Sequence, residues 1–274
     1  MNTFDDIHNK EGRLSEILKE LQPLIVAFSG GVDSSYLLAA AIDIVGKNNV
    51  IAVTAQAPFF SSFETQHIDT IINMTGARHI VFKHQAMLNE KFIRNPPDRC
   101  YHCKKMIFSS IRNIADLFRI ESIVHGTNTD DLNEFRPGTL AAEEFDIKAP
   151  LLDAHLSKSE IAILARNMAL DNWNQPAMAC LATRIPYHSD ITMEKLSMIH
   201  QAELILFNMG FPGARVRLND ETAKIEIRQN QLLDFLEGQY EDRLFSKLQE
   251  IGFVNMMVDM NGYGTKTTII QEKL

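Results

Sequence analysis

The chain has little cysteine, little tryptophan and no excess of positive charge. Three cysteines among 274 residues are too few, and odd in number, for a disulfide framework, and they suit a reducing compartment. A net charge of −8 weighs against a surface that wraps long nucleic acid, which needs clustered cations. No uninterrupted apolar run approaches the roughly 20 residues that span a bilayer. Met1 to Lys10 is polar and acidic rather than basic then apolar, so no secretory signal and no membrane partner are expected, and the cytoplasm is the expected location. What is present, 45% hydrophobic and 23% charged residues, is the composition of a soluble globular protein able to bury a sizeable core in one large domain or two ordinary ones.

Up to about Ala169, short apolar or β-branched runs alternate with helical patterns, as in parallel βαβ units. Strands are expected at Leu24 to Phe28, Val50 to Ala55, His79 to Phe82 and Ser122 to Gly126, and helices at Gly12 to Gln22, Ser34 to Val45, Phe63 to Thr75, Lys104 to Phe118 and Lys158 to Met168. This predicts an α/β fold with an open, doubly wound parallel sheet, which binds ligands at the carboxyl ends of its strands. The pattern breaks between Asp171 and Asp190 into an irregular stretch of the kind that is often functional. A small α+β domain is expected beyond it: helix Met193 to Met209, strands Ala214 to Leu218 and Ala223 to Arg228, two helical stretches across Leu232 to Ile251, and strands near Phe253 to Val258 and Thr267 to Gln271. The expected division is 1–185 and 190–274. No internal repeat is visible.

Directly after the first strand lie Ser29-Gly30-Gly31-Val32-Asp33-Ser34-Ser35. Two glycines let the backbone turn tightly and bring N–H groups close to an anion, and three hydroxyls add donors. The following helix points its unsatisfied N–H groups at the same place. Asp33 beside a polyphosphate would be repulsive without a divalent cation, so it reads as a Mg2+ contact. The loop lacks the Gly-Lys-Ser/Thr ending of a P-loop and the spaced glycines of a dinucleotide fold. It resembles the PP-loop of ATP pyrophosphatases, whose members bind ATP and release pyrophosphate.

Cys100 and Cys103 form a CxxC pair, and Cys180 lies far downstream in the irregular stretch. A CxxC alone is ambiguous among zinc, redox disulfide and iron–sulfur uses. His102 is badly placed to close a zinc site, a redox dithiol would leave Cys180 idle, and three thiolates on a [4Fe-4S] cluster would leave one iron open. His125-Gly126-Thr127-Asn128-Thr129-Asp130-Asp131 follows a strand; its glycine permits close approach to a ligand, and its aspartates suit either a cation or an Asx-rich turn. Arg136-Pro137-Gly138 is a stiffened turn presenting a guanidinium. Arg215 and Arg217 alternate with Val216 and so share a strand face, suited to solvent, to ion pairs or to a phosphorylated substrate.

Taken in order, SGGVDSS, PPDRCYHCKK, GTNTDD, FRPG, NWNQPAMACLATRIPY and ARVRLND resemble the LarE branch of the PP-loop superfamily, the ATP-dependent sulfur transferases of nickel-pincer nucleotide biosynthesis. The resemblance implies that ATP adenylylates a carboxylate of a pyridinium dicarboxylate mononucleotide and that sulfur then displaces AMP to leave a thiocarboxylate. It implies ATP and pyrophosphate contacts at Ser29, Gly30, Gly31, Asp33, Ser34, Ser35 and Gly126, with Asp33 on Mg2+ and Asp33 and Cys180 catalytic. It places substrate contacts at Arg136, Thr183, Arg184, Arg215 and Arg217, and an acidic metal set at Glu203, Glu226 and Asp234. Family members with a single cysteine, matching Cys180, give up its own sulfur. Those with three, matching Cys100, Cys103 and Cys180, hold a [4Fe-4S] cluster and pass on bound sulfide, and this chain has the three-cysteine pattern. Family members form homo-oligomers, for which the small C-terminal domain is a plausible surface. Two positions depart from the family: His188 stands where glycine is usual, and Thr183 where serine is common.

Three other readings compete. A tRNA-thiolating PP-loop enzyme shares the loop, three cysteines and a cluster but predicts a basic surface. An amidotransferase-type synthetase has no use for the cysteines. A non-catalytic ATP-binding redox sensor would form no AMP.

Overall fold

The computed structural model describes residues 3–60, 62–133, 137–175 and 179–263, and the chain divides into two compact units, Met1–Cys180 and Leu181–Leu274. The strand expected at Thr267 to Gln271 and the side chain of Arg136 lie outside the described residues. No helix of the described residues is long and apolar enough to cross a membrane.

The first unit runs α1 (Thr3–Leu21), β1 (Leu24–Ala27), α2 (Val32–Val45), β2 (Val50–Gln56), α3 (Ser62–Thr75), β3 (Arg78–Lys83), α4 (Glu90–Ile93), α5 (Arg99–Phe118), β4 (Ser122–Val124), α6 (Gly138–Glu144), α7 (Pro150–Asp153) and α8 (Lys158–Asn167). Its four strands are parallel in the order β3-β2-β1-β4. Leu24, Ile25 and Val26 are all fully buried, as expected of a central parallel strand covered on both faces. Alternation sends Leu24 and Val26 into a core with Leu37, Leu38, Ile161 and Leu164, while Ile25 faces a second core with Phe108, Ile111 and Ala141. Helices thus cover both faces of the sheet. β1 lies between β2 and β4, so the chain leaves it in opposite directions across the sheet, and the loops after β1 and β4 open a crevice at their carboxyl ends.

Two helices begin earlier than the apolar periodicity suggests. α1 starts at Thr3 instead of Gly12, because Ile7 joins Leu14 and Leu18 in one buried stripe. α5 starts at Arg99 instead of Lys104. Its first turn is polar and carries no apolar signal; Pro96 and Pro97 exclude an earlier start. Cys100 and Cys103 are therefore helical residues and not part of a loop. α8 starts with a capping box, Ser157 Oγ accepting from the Glu160 N–H at 3.4 Å and Glu160 Oε2 accepting from the Ser157 N–H at 2.8 Å.

The second unit contains a 3-10 turn (Leu181–Arg184), α9 (Met193–Asn208), β5 (Arg215–Asn219), β6 (Thr222–Glu226), α10 (Gln229–Glu237), α11 (Glu241–Glu250) and β7 (Asn255–Val258). β5 pairs antiparallel with β6, and β6 parallel with β7. Val216 and Leu218 are buried, so Arg215 and Arg217 project from the opposite face of β5.

Candidate functional site

The loop after β1 is held by its own serines. Gly30 has φ +82°, a left-handed conformation that favours glycine. Ser34 Oγ donates to the Gly31 carbonyl at 3.0 Å, accepts from the Ser29 N–H at 3.3 Å and lies 3.1 Å from Ser29 Oγ. Ser34 and Ser35 are buried, so their hydroxyls brace the loop. Gly31 caps α2 without a side-chain hydrogen bond, leaving the helix start to an incoming acceptor. Asp33 stands in the first turn of α2 and lines the cavity described below.

Residues outside the motif fix this loop in place. Thr54, on β2, donates to the Phe28 carbonyl at 2.8 Å, and His79 Nε2 lies 2.9 Å from Thr54 Oγ1. Thr54 commits its own proton to that carbonyl, so the His79 Nε2–H is the donor to Thr54 Oγ1; burial lowers the His79 pKa. Asn172 Nδ2 donates to the Gly30 carbonyl and to Ser35 Oγ, both at 2.9 Å. A lone threonine, histidine or asparagine carries no sequence signal for such a role. The irregular stretch around Asn172 was the only hint.

In the GTNTDD segment Asn128 is buried and accepts from the Asp130 N–H at 3.0 Å. Asp131 accepts from the Asn128 N–H at 3.3 Å and pairs with Lys158 at 3.3 Å, while Asp130 accepts from the Lys158 N–H at 2.6 Å. Asn128 therefore forms an Asx turn, closed by Asp131, while Asp130 anchors the start of α8. His125 is buried and pushed down to about 3, by desolvation first and then by the Lys104 charge. At Gly138 of the FRPG turn, a β-carbon would meet Lys104 Cδ at 2.6 Å, so the missing side chain leaves room for the lysine stem.

One cavity of about 730 Å³ is lined by the Ser29–Ser34 loop, Gly126 and all three cysteines, within the size range of small-molecule sites. Cys100 and Cys103 enter it from the first turn of α5. Burial pushes the Cys103 thiol up, and the neighbouring Cys180 and Cys100 sulfurs push the same way. His84 Nε2 lies 3.2 Å from Cys103 Sγ; desolvation lowers this buried histidine to about 4, so it faces the sulfur as a neutral ring. Among the described residues no three His, Cys, Asp or Glu side chains gather tightly enough to hold a single metal ion. The three thiols share the wall of this cavity.

The second unit gathers its own charged set. The buried Arg184 pairs with the buried Glu203 at 2.7 Å, and Glu203 also accepts from the Val216 N–H at 3.1 Å. Arg184 donates to Thr183 Oγ1 at 2.8 Å. Arg217 pairs with Glu226 at 2.6 Å and donates to the Thr183 carbonyl at 3.0 Å. Arg215 lies over the Tyr263 ring at 4.2 Å, and its pKa is lowered by burial and then by the Arg184 and Arg217 charges. Three guanidiniums thus sit within electrostatic reach of one another, a grouping suited to a phosphate. Glu203 and Glu226 are engaged by arginines, and Asp234 is exposed on α10.

The parallel sheet, its glycine–serine loop and the thiol-lined cavity define an α/β protein with a small-molecule site at the carboxyl edge of its sheet. No family profile matches the chain. It is 32% identical over 254 residues to the pyridinium-3,5-bisthiocarboxylic acid mononucleotide synthase of Lactiplantibacillus plantarum, covering 93% of this chain and 91% of that one. It is also 32% identical over 257 residues to an uncharacterized protein of Synechocystis, covering 94% and 96%, and 30% identical over 254 residues to one of Methanocaldococcus jannaschii, covering 92% and 96%. The chain belongs to the LarE family, that of the pyridinium-3,5-bisthiocarboxylic acid mononucleotide synthase.

Proposed function

We propose that the chain is an ATP-dependent sulfur transferase of the PP-loop type that converts a carboxylate of a pyridinium dicarboxylate mononucleotide into a thiocarboxylate. The observation that carries this reading is the single cavity shared by the Ser29–Ser34 loop and Cys100, Cys103 and Cys180. A loop read as an anion cradle and thiols read as the sulfur side line one space, which supports this reading.

A substrate carboxylate oxygen attacks the α-phosphorus of ATP, the bond to the bridging oxygen breaks, and pyrophosphate leaves. The loop N–H groups and the uncapped start of α2 take up the charge that develops on it. Asp33 would hold Mg2+, which neutralises that charge further. Sulfur then attacks the acyl carbon of the mixed anhydride, and AMP departs with the carboxylate oxygen. Cys100, Cys103 and Cys180 would hold a [4Fe-4S] cluster, which when bound would supply sulfide as the nucleophile. Burial and the neighbouring sulfurs hold Cys103 toward the thiol form, and the Lys104 and Arg99 charges offset this only in part. Arg184, Arg215 and Arg217, with Thr183, would hold the phosphate of the mononucleotide. The enzyme would work in the cytoplasm as a homo-oligomer.

The test is anaerobic purification followed by iron and sulfide analysis, EPR, and an assay for AMP with a carboxylated pyridinium nucleotide. About four irons per chain, lost on Cys180→Ala, together with AMP formation that is lost on Asp33→Ala, is the expected result. An iron-free chain whose Cys180 loses sulfur mass during turnover would replace the cluster with the sacrificial route. Absence of AMP formation would overturn the reading.

A further inference from the structure

Asn172 is fully buried and opens the NWNQPAMACLATRIPY stretch, far in sequence from the Ser29–Ser35 loop. Its amide nitrogen donates to two acceptors of the β1–α2 loop, the Gly30 carbonyl and Ser35 Oγ. The carbonyl of Gly30 can only accept, so the amide orientation is fixed by chemistry: turned over, Asn172 Oδ1 would face an oxygen. That Oδ1 has no hydrogen-bond partner among the described residues. An amide that satisfies its donors and leaves its acceptor buried is a costly way to fill space.

The geometry points to Asn172 as the positioning residue that sets the direction of the Gly30–Gly31 peptide and so makes the loop competent to hold a pyrophosphate group. In a trans peptide the C=O and N–H point in opposite directions. By drawing the Gly30 carbonyl toward the buried amide, Asn172 turns the Gly31 N–H away from the core. There it meets only a long 3.4 Å contact with Ser29 Oγ, one an incoming phosphate oxygen would displace at normal hydrogen-bond length. Without the amide, the left-handed Gly30 (φ +82°) has the freedom to rotate this peptide the other way and present an oxygen to the anion. The second bond, to Ser35 Oγ, ties the same amide to the first turns of α2. Peptide and helix start are thereby held in one orientation toward the ligand. This inference rests on the reading of the loop as an ATP and pyrophosphate site.

The test uses the full chain labelled with 15N-glycine, with inorganic pyrophosphate and Mg2+ as the probe. Asn172→Asp keeps the shape and sets an acceptor against the Gly30 carbonyl. Wild type is expected to bind pyrophosphate by calorimetry with a shift of the Gly31 amide resonance. Asn172→Asp is expected to bind at least tenfold more weakly and to lose that shift, while the amides of Gly210 and Gly252 keep their positions. A smaller loss, or a Gly31 amide that still responds, overturns the inference and leaves the loop reading standing. If wild type binds neither pyrophosphate nor ATP, the loop reading fails and the inference falls with it. Should Asn172→Asp not fold, Asn172→Ala removes the donors without adding charge, and the same two readouts decide.

Discussion

Gly126 and Ser34 meet backbone to backbone: a β-carbon on Gly126 would stand 2.9 Å from the Ser34 nitrogen and 3.1 Å from the Asp33 carbonyl carbon. The loop after β4 is therefore pressed against the start of α2, and neither wall is a flexible side chain that yields. Gly126→Ala should push the two apart, costing about 1–3 kcal/mol as overpacking does. Under the proposed function, ATP affinity should fall by more than the stability loss accounts for, since the displaced atoms belong to the loop proposed to hold the anion. Thermal unfolding beside calorimetry separates the two effects; an unchanged affinity would show that the contact is only structural.

Glu203 and Glu226, which pair with Arg184 and Arg217 in the second unit, should respond differently to neutralisation. Removing Glu203 strands the buried Arg184 and the Val216 N–H, so Glu203→Ala should destabilise by about 3–5 kcal/mol. Arg217 is 40% exposed, and water replaces its partner readily, so Glu226→Gln should cost about 1 kcal/mol or less. Urea unfolding followed by circular dichroism tests this, because the chain's one tryptophan, Trp173, lies in the other unit.

Acid should weaken the fold through His125. Its folded pKa is lowered from 6.5 to about 3. Between those values the unfolded chain binds a proton that the folded chain refuses. Stability is fully present above pH 6.5 and declines as pH falls toward 3, by about 1.4 kcal/mol per pH unit for this group. His125→Gln should flatten the dependence of the melting temperature between pH 7 and pH 5 relative to wild type, and an unaltered slope would remove His125 as its source.

His188 has φ +65°, in the left-handed region where a β-carbon is strained. The side chain is exposed, so little packing is lost by removing it. His188→Gly should stabilise by about 0.5–1 kcal/mol, the relief of strain exceeding the added freedom of the unfolded chain. A melting temperature that falls would show that the imidazole makes contacts that outweigh the strain.

The sequence showed the sheet through its apolar runs because a buried parallel strand has no polar alternative: Leu24 to Val26 reads the same in either description. It showed the tight turn after β1 through its paired glycines, since the left-handed φ of Gly30 favours glycine. It did not show that the first turn of α5 is helical, since Arg99 to Cys103 has no apolar residue in helical register until the core contacts begin further along. Nor did it show Asn172, Thr54, His79 or His84, whose roles arise from distant segments meeting in space. The aspartates of GTNTDD left two readings open at the level of sequence, and only the bonds from Asn128 and Lys158 decide for the turn.

The helical first turn of α5 has a consequence for oxidation. Side chains three apart on a helix hold their β-carbons roughly 5–6 Å apart, whereas a disulfide needs about 3.8 Å. On a regular helix Cys100 and Cys103 are therefore spaced more widely than a relaxed disulfide prefers, and joining their sulfurs requires the first turn to adjust. Exposure of the metal-free chain to air should leave this pair as separate thiols, countable by alkylation and mass spectrometry. A dithiol switch wants its sulfurs close enough to close, and a regular helix holds this pair's β-carbons further apart than that.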